Sequence, residues 1–211
     1  MSNLAVIDLF AEDRAHEELL TPMVRRVARE GGFSARVRCR SARGGHGCAI
    51  AEYVQYQRLL EAGMIDPAPD IIVVAIDGNC STFAKKRQEI TEKTDAKNLD
   101  RVVCACPDPH VERWFMADPD SFYKVVGHRP KVGKKKCIRD HYKHLLEKAV
   151  RQAGYPVTLG CLEFAAELVA AMDLYRAGKS DVSLKAFLDD LADKLKLRCQ
   201  PETVRAAEKG R

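Results

Sequence analysis

The first half of the chain alternates short apolar runs with stretches of helical pattern, and this alternation constrains the fold more than any other feature. Residues 71–76 (IIVVAI) form an uninterrupted apolar run that is typical of a strand buried on both faces. Further strand-like runs occur at residues 4–10, 35–40 and 101–106, with helical patterns between them. Strands that alternate with helices predict an α/β fold with a mainly parallel, four-stranded sheet flanked by helices. Residues 35–40 (ARVRCR) alternate strictly, which indicates a half-exposed strand at or near an edge.

The second half of the chain has a different pattern, because from about residue 122 onward it contains helical periodicity alone. Helices are expected over three stretches, residues 138–153, 161–177 and 184–197. The expected organisation is an α/β domain over residues 1–125, followed by a basic segment and helical extension over residues 126–211 that pack on it.

The composition is that of a globular protein. Of the 211 residues, 46% are hydrophobic and 31% are charged, which argues against long disorder. No apolar run approaches the roughly 20 residues that cross a membrane, and the N-terminus does not resemble a secretion leader, so we expect a cytoplasmic protein without a membrane partner. The eight cysteines are scattered without a CxxC pair, which favours reduced thiols over disulfides or zinc ligands.

Positive charge is concentrated in two segments, although the net charge is only +5. Residues 124–151 hold ten Lys and Arg against two acids, and residues 25–43 hold seven Arg against one Glu. Such segments favour a phosphate-rich partner, DNA or RNA, although they are also compatible with a merely solvated surface. The candidate nucleic-acid-binding residues are Arg38, Arg40, Arg43, His46, Lys134, Lys135, Lys136 and Arg139.

Acidic residues follow three of the four predicted strands. Glu12 follows the first, Asp77 the third and Glu112 the fourth, while the loop after the second offers arginine and glycine. Ligands of open α/β sheets bind beyond the carboxyl ends of the strands, where these acids are expected to converge. A divalent cation would offset their repulsion, and Mg²⁺ or Mn²⁺ suits such oxygen ligands. His110 and Asp118 are possible accessory residues at this edge.

Three stretches resemble motifs of TOPRIM domains. Residues 4–20 are similar to the opening strand that ends in a glutamate, and residues 71–79 are similar to the strand that ends in Asp-x-Asp. Residues 106–118 resemble the Glu-x-Trp stretch of small stand-alone TOPRIM proteins related to the overcoming-lysogenization-defect (OLD) nucleases. The resemblance covers roughly residues 1–125 and implies a Rossmann-like fold with Mg²⁺-dependent phosphodiester chemistry.

The resemblance also implies roles for individual residues. Glu12 would transfer the proton and contribute to the metal site, Asp77 would be the principal metal ligand, and Glu112 a second ligand. Asn79 stands where the family has its second acid, and it could coordinate only through an uncharged carbonyl. The basic segment, rather than the resemblance, supplies Lys143 as the candidate for neutralising charge in the transition state beside Glu12 and Asp77, although the sequence does not distinguish it from Lys124.

The expected function is that of a metal-dependent nuclease, the effector subunit of a bacterial anti-phage system. The chain has no Walker A motif, so ATP use would come from an ABC- or AAA-type ATPase partner. A homo-oligomer is also possible. The apolar faces of the C-terminal helices would either dock such a partner or close the core.

Two other functions remain open on the sequence. The chain could be a non-catalytic nucleic-acid-binding or regulatory subunit in which Asn79 marks a decayed site. It could also be a receiver-like module that is phosphorylated on Asp77. Trp114 is expected in the core rather than at a base. His16 lies one helical turn after Glu12 and could orient it or contact phosphate, but a surface position is expected.

Overall fold

The structure is a computed structural model, and it describes residues 4–41, 44–133, 135–138, 140–157 and 160–199. Its strands are β1 (Leu4–Ala11), β2 (Ser34–Ser41), β3 (Ile71–Ala75) and β4 (Val102–Ala105). Its α-helices are α1 (Arg14–Glu30), α2 (His46–Glu61), α3 (Phe83–Glu92), α4 (Val111–Phe115), α5 (Pro119–Val126), α6 (His141–Gln152), α7 (Ala165–Ala171), α8 (Leu174–Ser180) and α9 (Val182–Cys199). Short 3₁₀ turns lie at Ala96–Asn98 and Leu162–Phe164.

The four strands form one parallel sheet in the order β2-β1-β3-β4. All five residues of β3 are buried, as the uninterrupted apolar run predicted, and β3 lies inside the sheet. The arginine-rich β2 is an edge strand, also as predicted. The chain therefore has the expected α/β, Rossmann-like architecture.

Helices cover both faces of the sheet. Alternate residues of a strand point to opposite faces, so Val73 packs with α1 in one buried cluster while Val74 packs with α2 and α3 in another. Helix α1 begins at its cap Asp13, whose carboxylate accepts a hydrogen bond from the His16 amide. It continues without a break through Pro22.

The C-terminal helices share the core with the first half of the chain. One buried cluster contains residues from β1 through to Leu195 of α9, and it includes Val169 and Met172. These two apolar residues therefore close the core, which is one of the two roles left open for that face. The sequence predicted a single helix over residues 161–177, but the structure has two, α7 and α8. Arg26 donates hydrogen bonds to the Val169 and Met172 carbonyls near the end of α7. Asp173 then caps the start of α8.

The cysteines differ from the expectation at one pair. Cys80, in the loop after β3, is joined to Cys137, before α6, by a disulfide, so the prediction of reduced thiols was wrong for these two. The two lie 57 residues apart, and no spacing motif marks the pair. Cys104 and Cys106 pack as small apolar residues in one of the two buried clusters, and burial raises the pKa of the Cys104 thiol to about 12. Among the described helices, none has the length and apolarity needed to span a membrane.

Candidate metal centre at the carboxyl edge of the sheet

The carboxyl ends of the three strands β1, β3 and β4 lie level with one another. Ala11 pairs with Ala75, and Ala75 pairs with Ala105, so each strand ends at the same height in the sheet. β2 lies on one side of β1, whereas β3 and β4 lie on the other. The gap between β1 and β3 is therefore the switch point at which open α/β sheets bind ligands. Glu12 and Asp77 follow the two strands that border it.

Asp77 is the centre of the polar contacts at this edge, and only 8% of it is exposed. Its Oδ1 accepts a hydrogen bond from the Val111 amide at 2.9 Å and lies 3.1 Å from Nε2 of His16. Its Oδ2 lies 2.9 Å from Nδ1 of His110. Burial alone would raise the pKa of Asp77. The imidazoles of His16 and His110 lower that pKa by more, so it lies below its ordinary value.

Glu12 is fixed beside Asp77 by the backbone. The Glu12 amide donates to the Ala75 carbonyl at 3.0 Å, which extends the β1–β3 ladder by one residue. In return, Oε2 of Glu12 accepts a hydrogen bond from the Asp77 amide at 2.9 Å. Burial, together with the nearby charge of Asp77, raises the pKa of Glu12 above its ordinary value.

Glu112 reaches the same place from the first turn of α4. Burial and repulsion by Asp77 raise the pKa of its carboxyl group. One ligand atom from each of Asp77, His110 and Glu112 lies within 4.8 Å of the others, which is close enough for a single cation to contact all three. The structure thus brings together the predicted Glu12, Asp77 and Glu112, and it places His110 in the cluster that could hold a metal ion.

His16 is the residue at this site that the sequence reasoning missed. It was expected on the surface, but it is completely buried, with Nδ1 lying 2.8 Å from Oδ1 of Asp13 and Nε2 facing Asp77. These two carboxylates raise the pKa of the imidazole well above its ordinary value despite the cost of burial. A signal was available, because His16 falls on the same helical face as the buried Leu19, Leu20 and Met23.

The loops after β3 and β4 hold each other by backbone contacts. The Gly78 amide donates to the Pro107 carbonyl at 2.7 Å, and the Asn79 amide donates to the Pro109 carbonyl at 2.8 Å. A Cβ atom on Gly78 would lie 2.9 Å from the Pro107 oxygen, so only glycine permits this approach. Asn79 is exposed and has a left-handed backbone (φ 51°). Its role as a metal ligand stays a prediction.

Two other predicted site residues lie among different partners. Asp118 is buried at the start of α5, where it accepts hydrogen bonds from the Asp173 amide at 2.9 Å and from Arg176 at 3.0 Å. Its carboxylate therefore ties α5 to α8 and is not part of the metal centre. Lys143 is exposed on α6, and no contact among the described residues joins it to Asp77.

The predicted nucleic-acid-binding residues of the first half are largely engaged within the chain. Arg38 forms a two-pronged ion pair with the fully buried Asp8, to which Tyr56 also donates. Arg40 lies over the Tyr56 ring, with its guanidinium carbon 5.6 Å from the ring centroid. His46 begins α2, and its Nε2 lies 2.6 Å from Oε1 of Glu89. These partners were not predicted from the sequence, since Asp8 lies within an otherwise apolar strand.

The basic segment before α6 approaches the site more closely. Nζ of Lys136 lies 2.7 Å from Oδ1 of Asp108 and donates to the Ser81 carbonyl at 3.2 Å, so it bridges the loops after β4 and β3. Lys135 is exposed, and its amide donates to the Tyr142 hydroxyl at 2.9 Å. The other three predicted residues, Arg43, Lys134 and Arg139, lie outside the described residues.

Comparison with known proteins gives a family but no activity. No curated protein and no solved structure matches the chain. The model of a family described as a domain of unknown function, DUF4276, matches residues 11–192. That range runs from the end of β1 into α9 and includes every residue of the candidate metal centre. Because it covers most of the sequence, the chain belongs to the DUF4276 family.

Proposed function

We propose that this protein is a metal-dependent phosphodiesterase that cleaves DNA or RNA. The observation that carries the proposal is the meeting of Asp77, His110 and Glu112 within 4.8 Å at the switch point of the sheet. Glu12 lies on the same edge, one hydrogen bond from the Asp77 amide. An acid cluster at this place is suited to a cation and a phosphate rather than to an apolar ligand.

The donor set fits a divalent cation. Two carboxylates and one imidazole are compatible with Mg²⁺ and still better with Mn²⁺, since imidazole is a more common ligand of transition metals. When bound, such an ion polarises a phosphodiester and lowers the pKa of water. We propose Mn²⁺ or Mg²⁺ as the cofactor.

The residues of the chain supply positioning and proton transfer. His16 and the Val111 amide hold the Asp77 carboxylate in one orientation, so that its position is fixed before a ligand arrives. Glu12 is oriented through Oε2 by the Asp77 amide, and its other carboxylate oxygen accepts the proton of the attacking water. Lys136 lies at the neighbouring loop, where its ion pair with Asp108 ties the basic segment to the loop after β4.

The wider role follows the resemblance to TOPRIM effectors. In this proposal the chain is a cytoplasmic nuclease subunit that works beside an ABC- or AAA-type ATPase in anti-phage defence. The receiver alternative requires Asp77 to be accessible to a phosphate donor, and only 8% of the residue is exposed. The non-catalytic alternative is an outcome of the experiment that follows.

The test compares Asp77→Asn with a matched control, Asp120→Asn, which alters a half-exposed carboxylate on α5. Labelled single- and double-stranded DNA and RNA are incubated with Mn²⁺ or Mg²⁺, with and without a co-purified ATPase, and thermal melting confirms folding. We expect wild type and Asp120→Asn to cleave, and Asp77→Asn to lose at least about 100-fold in rate. Glu112→Gln is the second variant should Asp77→Asn not fold.

A wild-type protein that binds nucleic acid but cleaves nothing with either metal would contradict the enzyme and favour the non-catalytic binding subunit. Isothermal titration calorimetry with MnCl₂ measures metal binding separately from cleavage. Absence of Mn²⁺ binding to the wild type would contradict the proposed metal centre itself.

A further inference from the structure

A cavity of about 280 Å³ borders the candidate metal centre along residues 108–113, the segment that runs from β4 into α4. Pro109 and Arg113 of this segment line the cavity, while His110 and Glu112 belong to the metal cluster. The other walls come from the start of α3, the basic segment before α6 and the corner between α8 and α9. The two sites therefore share one short piece of backbone.

Positive charge in this cavity exceeds the negative charge that could balance it. Among the residues that the structure describes, the cavity is lined by Lys135, Lys136, Lys179 and Arg113 but by only two acids, Asp108 and Asp181. Both acids are already engaged with cations of the cavity wall, Asp108 with Lys136 and Asp181 with Arg113.

Lys135 and Lys179 supply the charge that remains. Both are exposed, and neither pairs with a carboxylate in the part of the chain that the structure describes. Nζ of Lys179 lies 4.4 Å from the centroid of the Tyr175 ring, which does not neutralise its charge.

The apolar part of the wall faces the same space. Phe83 is half-buried at the start of α3, and Val182 is 65% exposed at the start of α9. With Pro109 they line the cavity together with the lysines. An aromatic ring beside unpaired cations is the combination that binds single-stranded nucleic acid, with the base on the ring and the phosphate on the cations.

The basic segment is held in place over this cavity. Lys136 bridges Asp108 and Ser81, and the Tyr142 hydroxyl contacts both the Lys135 amide and the Gly133 carbonyl. The disulfide from Cys137 to Cys80 adds a covalent link to the loop after β3. Lys135 is thus presented by a segment with several fixed points, which lowers the entropy cost of binding.

We propose that this cavity is a subsite for one nucleotide of a single strand, next to the phosphodiester at the metal centre. Lys135 and Lys179 bind its phosphate, and Phe83 stacks on its base. A base that is paired within a duplex cannot enter such a cavity, so the subsite selects single-stranded or unpaired segments. This inference rests on the proposed function for the position of the strand, but binding to the subsite needs no metal.

The test measures binding in EDTA, so that it does not depend on cleavage. A fluorescein-labelled oligothymidylate of about 12 nucleotides is titrated by anisotropy at several salt concentrations. The double variant Lys135→Ala, Lys179→Ala should raise Kd about tenfold and lower the salt slope by about 1.4, which corresponds to two lost phosphate contacts on a single strand. Phe83→Leu, which keeps an apolar side chain, should abolish the quenching of a 2-aminopurine base in the strand.

The matched control is Lys97→Ala, Lys196→Ala. It removes the same charge from residues near the amino-terminal end of β4, where the last turn of α9 lies beside Asp100. Its Kd should stay within about twofold of wild type.

The outcomes separate this inference from the proposed function. If the wild type cleaves with Mn²⁺ but the Lys135, Lys179 variant binds the strand as tightly and with the same salt slope, the subsite is wrong and the nuclease stands. If binding depends on the two lysines but no metal supports cleavage, the subsite stands and the nuclease is wrong.

Discussion

Nε2 of His16 lies 3.1 Å from Oδ1 of Asp77, although the imidazole is completely buried and the carboxylate nearly so. A buried ion pair is stable only when its remaining polar atoms also find partners. Asp13 supplies one partner, at Nδ1 of the imidazole, and the Val111 amide supplies another, at Asp77. The pair connects α1, β3 and α4 at the point where the proposed chemistry takes place.

The first prediction concerns the pH dependence of stability without metal. The folded-state pKa of His16 is raised well above 6.5, so its contribution is fully present below pH 6.5 and is lost as the pH rises through the raised pKa. The melting temperature of the EDTA-treated protein should therefore fall on the alkaline side, and His16→Gln should flatten that fall. His144→Gln, on the exposed face of α6, is the control. Parallel curves for wild type and His16→Gln would contradict the assignment.

The second prediction is that the metal centre costs stability when it is empty. Burial and Asp77 both disfavour a charged Glu112, as its raised pKa indicates. Glu112→Gln should raise the melting temperature of the metal-free protein by about 2–4 °C and should remove most of the rise that Mn²⁺ causes in wild type. Glu52→Gln, on the exposed side of α2, should change neither quantity. A metal-free Glu112→Gln protein that melts below wild type would show that the carboxylate stabilises the fold.

The third prediction concerns the close approach of the two loops. Gly78→Ala places a Cβ 2.9 Å from the Pro107 oxygen, so the loops that carry Asp77 and His110 must separate. We expect a loss of about 1–3 kcal/mol in the free energy of unfolding and weaker Mn²⁺ binding in calorimetry. Gly47→Ala is the matched control, because its Cβ meets nothing within 4 Å and α2 should gain stability. Equal Mn²⁺ affinity in wild type and Gly78→Ala would refute the argument.

The fourth prediction separates a structural arginine from a surface one. Arg38→Met leaves the fully buried Asp8 without its main partner and should cost about 3–5 kcal/mol in urea denaturation. Arg36→Met changes an exposed arginine two residues away on the same strand, and it should cost less than about 0.5 kcal/mol. If the two variants unfold at the same urea concentration, Arg38 is free to bind a partner, as the sequence first suggested.

The sequence predicted those parts of the fold and site that depend on strand pattern. The buried run of β3 located Asp77, and parallel strands that end level with one another brought Glu12 and Glu112 to the same edge. Trp114 was expected in the core, and it is buried with its indole donating to Ser183. These features follow from the local hydrophobic pattern and from the rule that ligands of open α/β sheets bind beyond the carboxyl ends of the strands.

Long-range pairs of polar residues could not be predicted. The contact of Asp8 with Arg38 and the link between Cys80 and Cys137 each join residues with no shared motif. His16 is different, because its position on the apolar face of α1 pointed to burial, and the general expectation for histidine outweighed that sign. The density of positive charge suggested that Arg38 faces a ligand, but Arg38 instead pairs with the buried Asp8.

The level ends of β1, β3 and β4 limit how this protein can diversify. A single insertion or deletion inside β3 would turn Asp77 to the opposite face of the sheet and remove it from Glu12. Changes in the α8–α9 corner or the segment before α6 leave that register untouched and alter only the walls of the neighbouring cavity. New specificities should therefore be sought by randomising those connections while the three strands are kept unchanged.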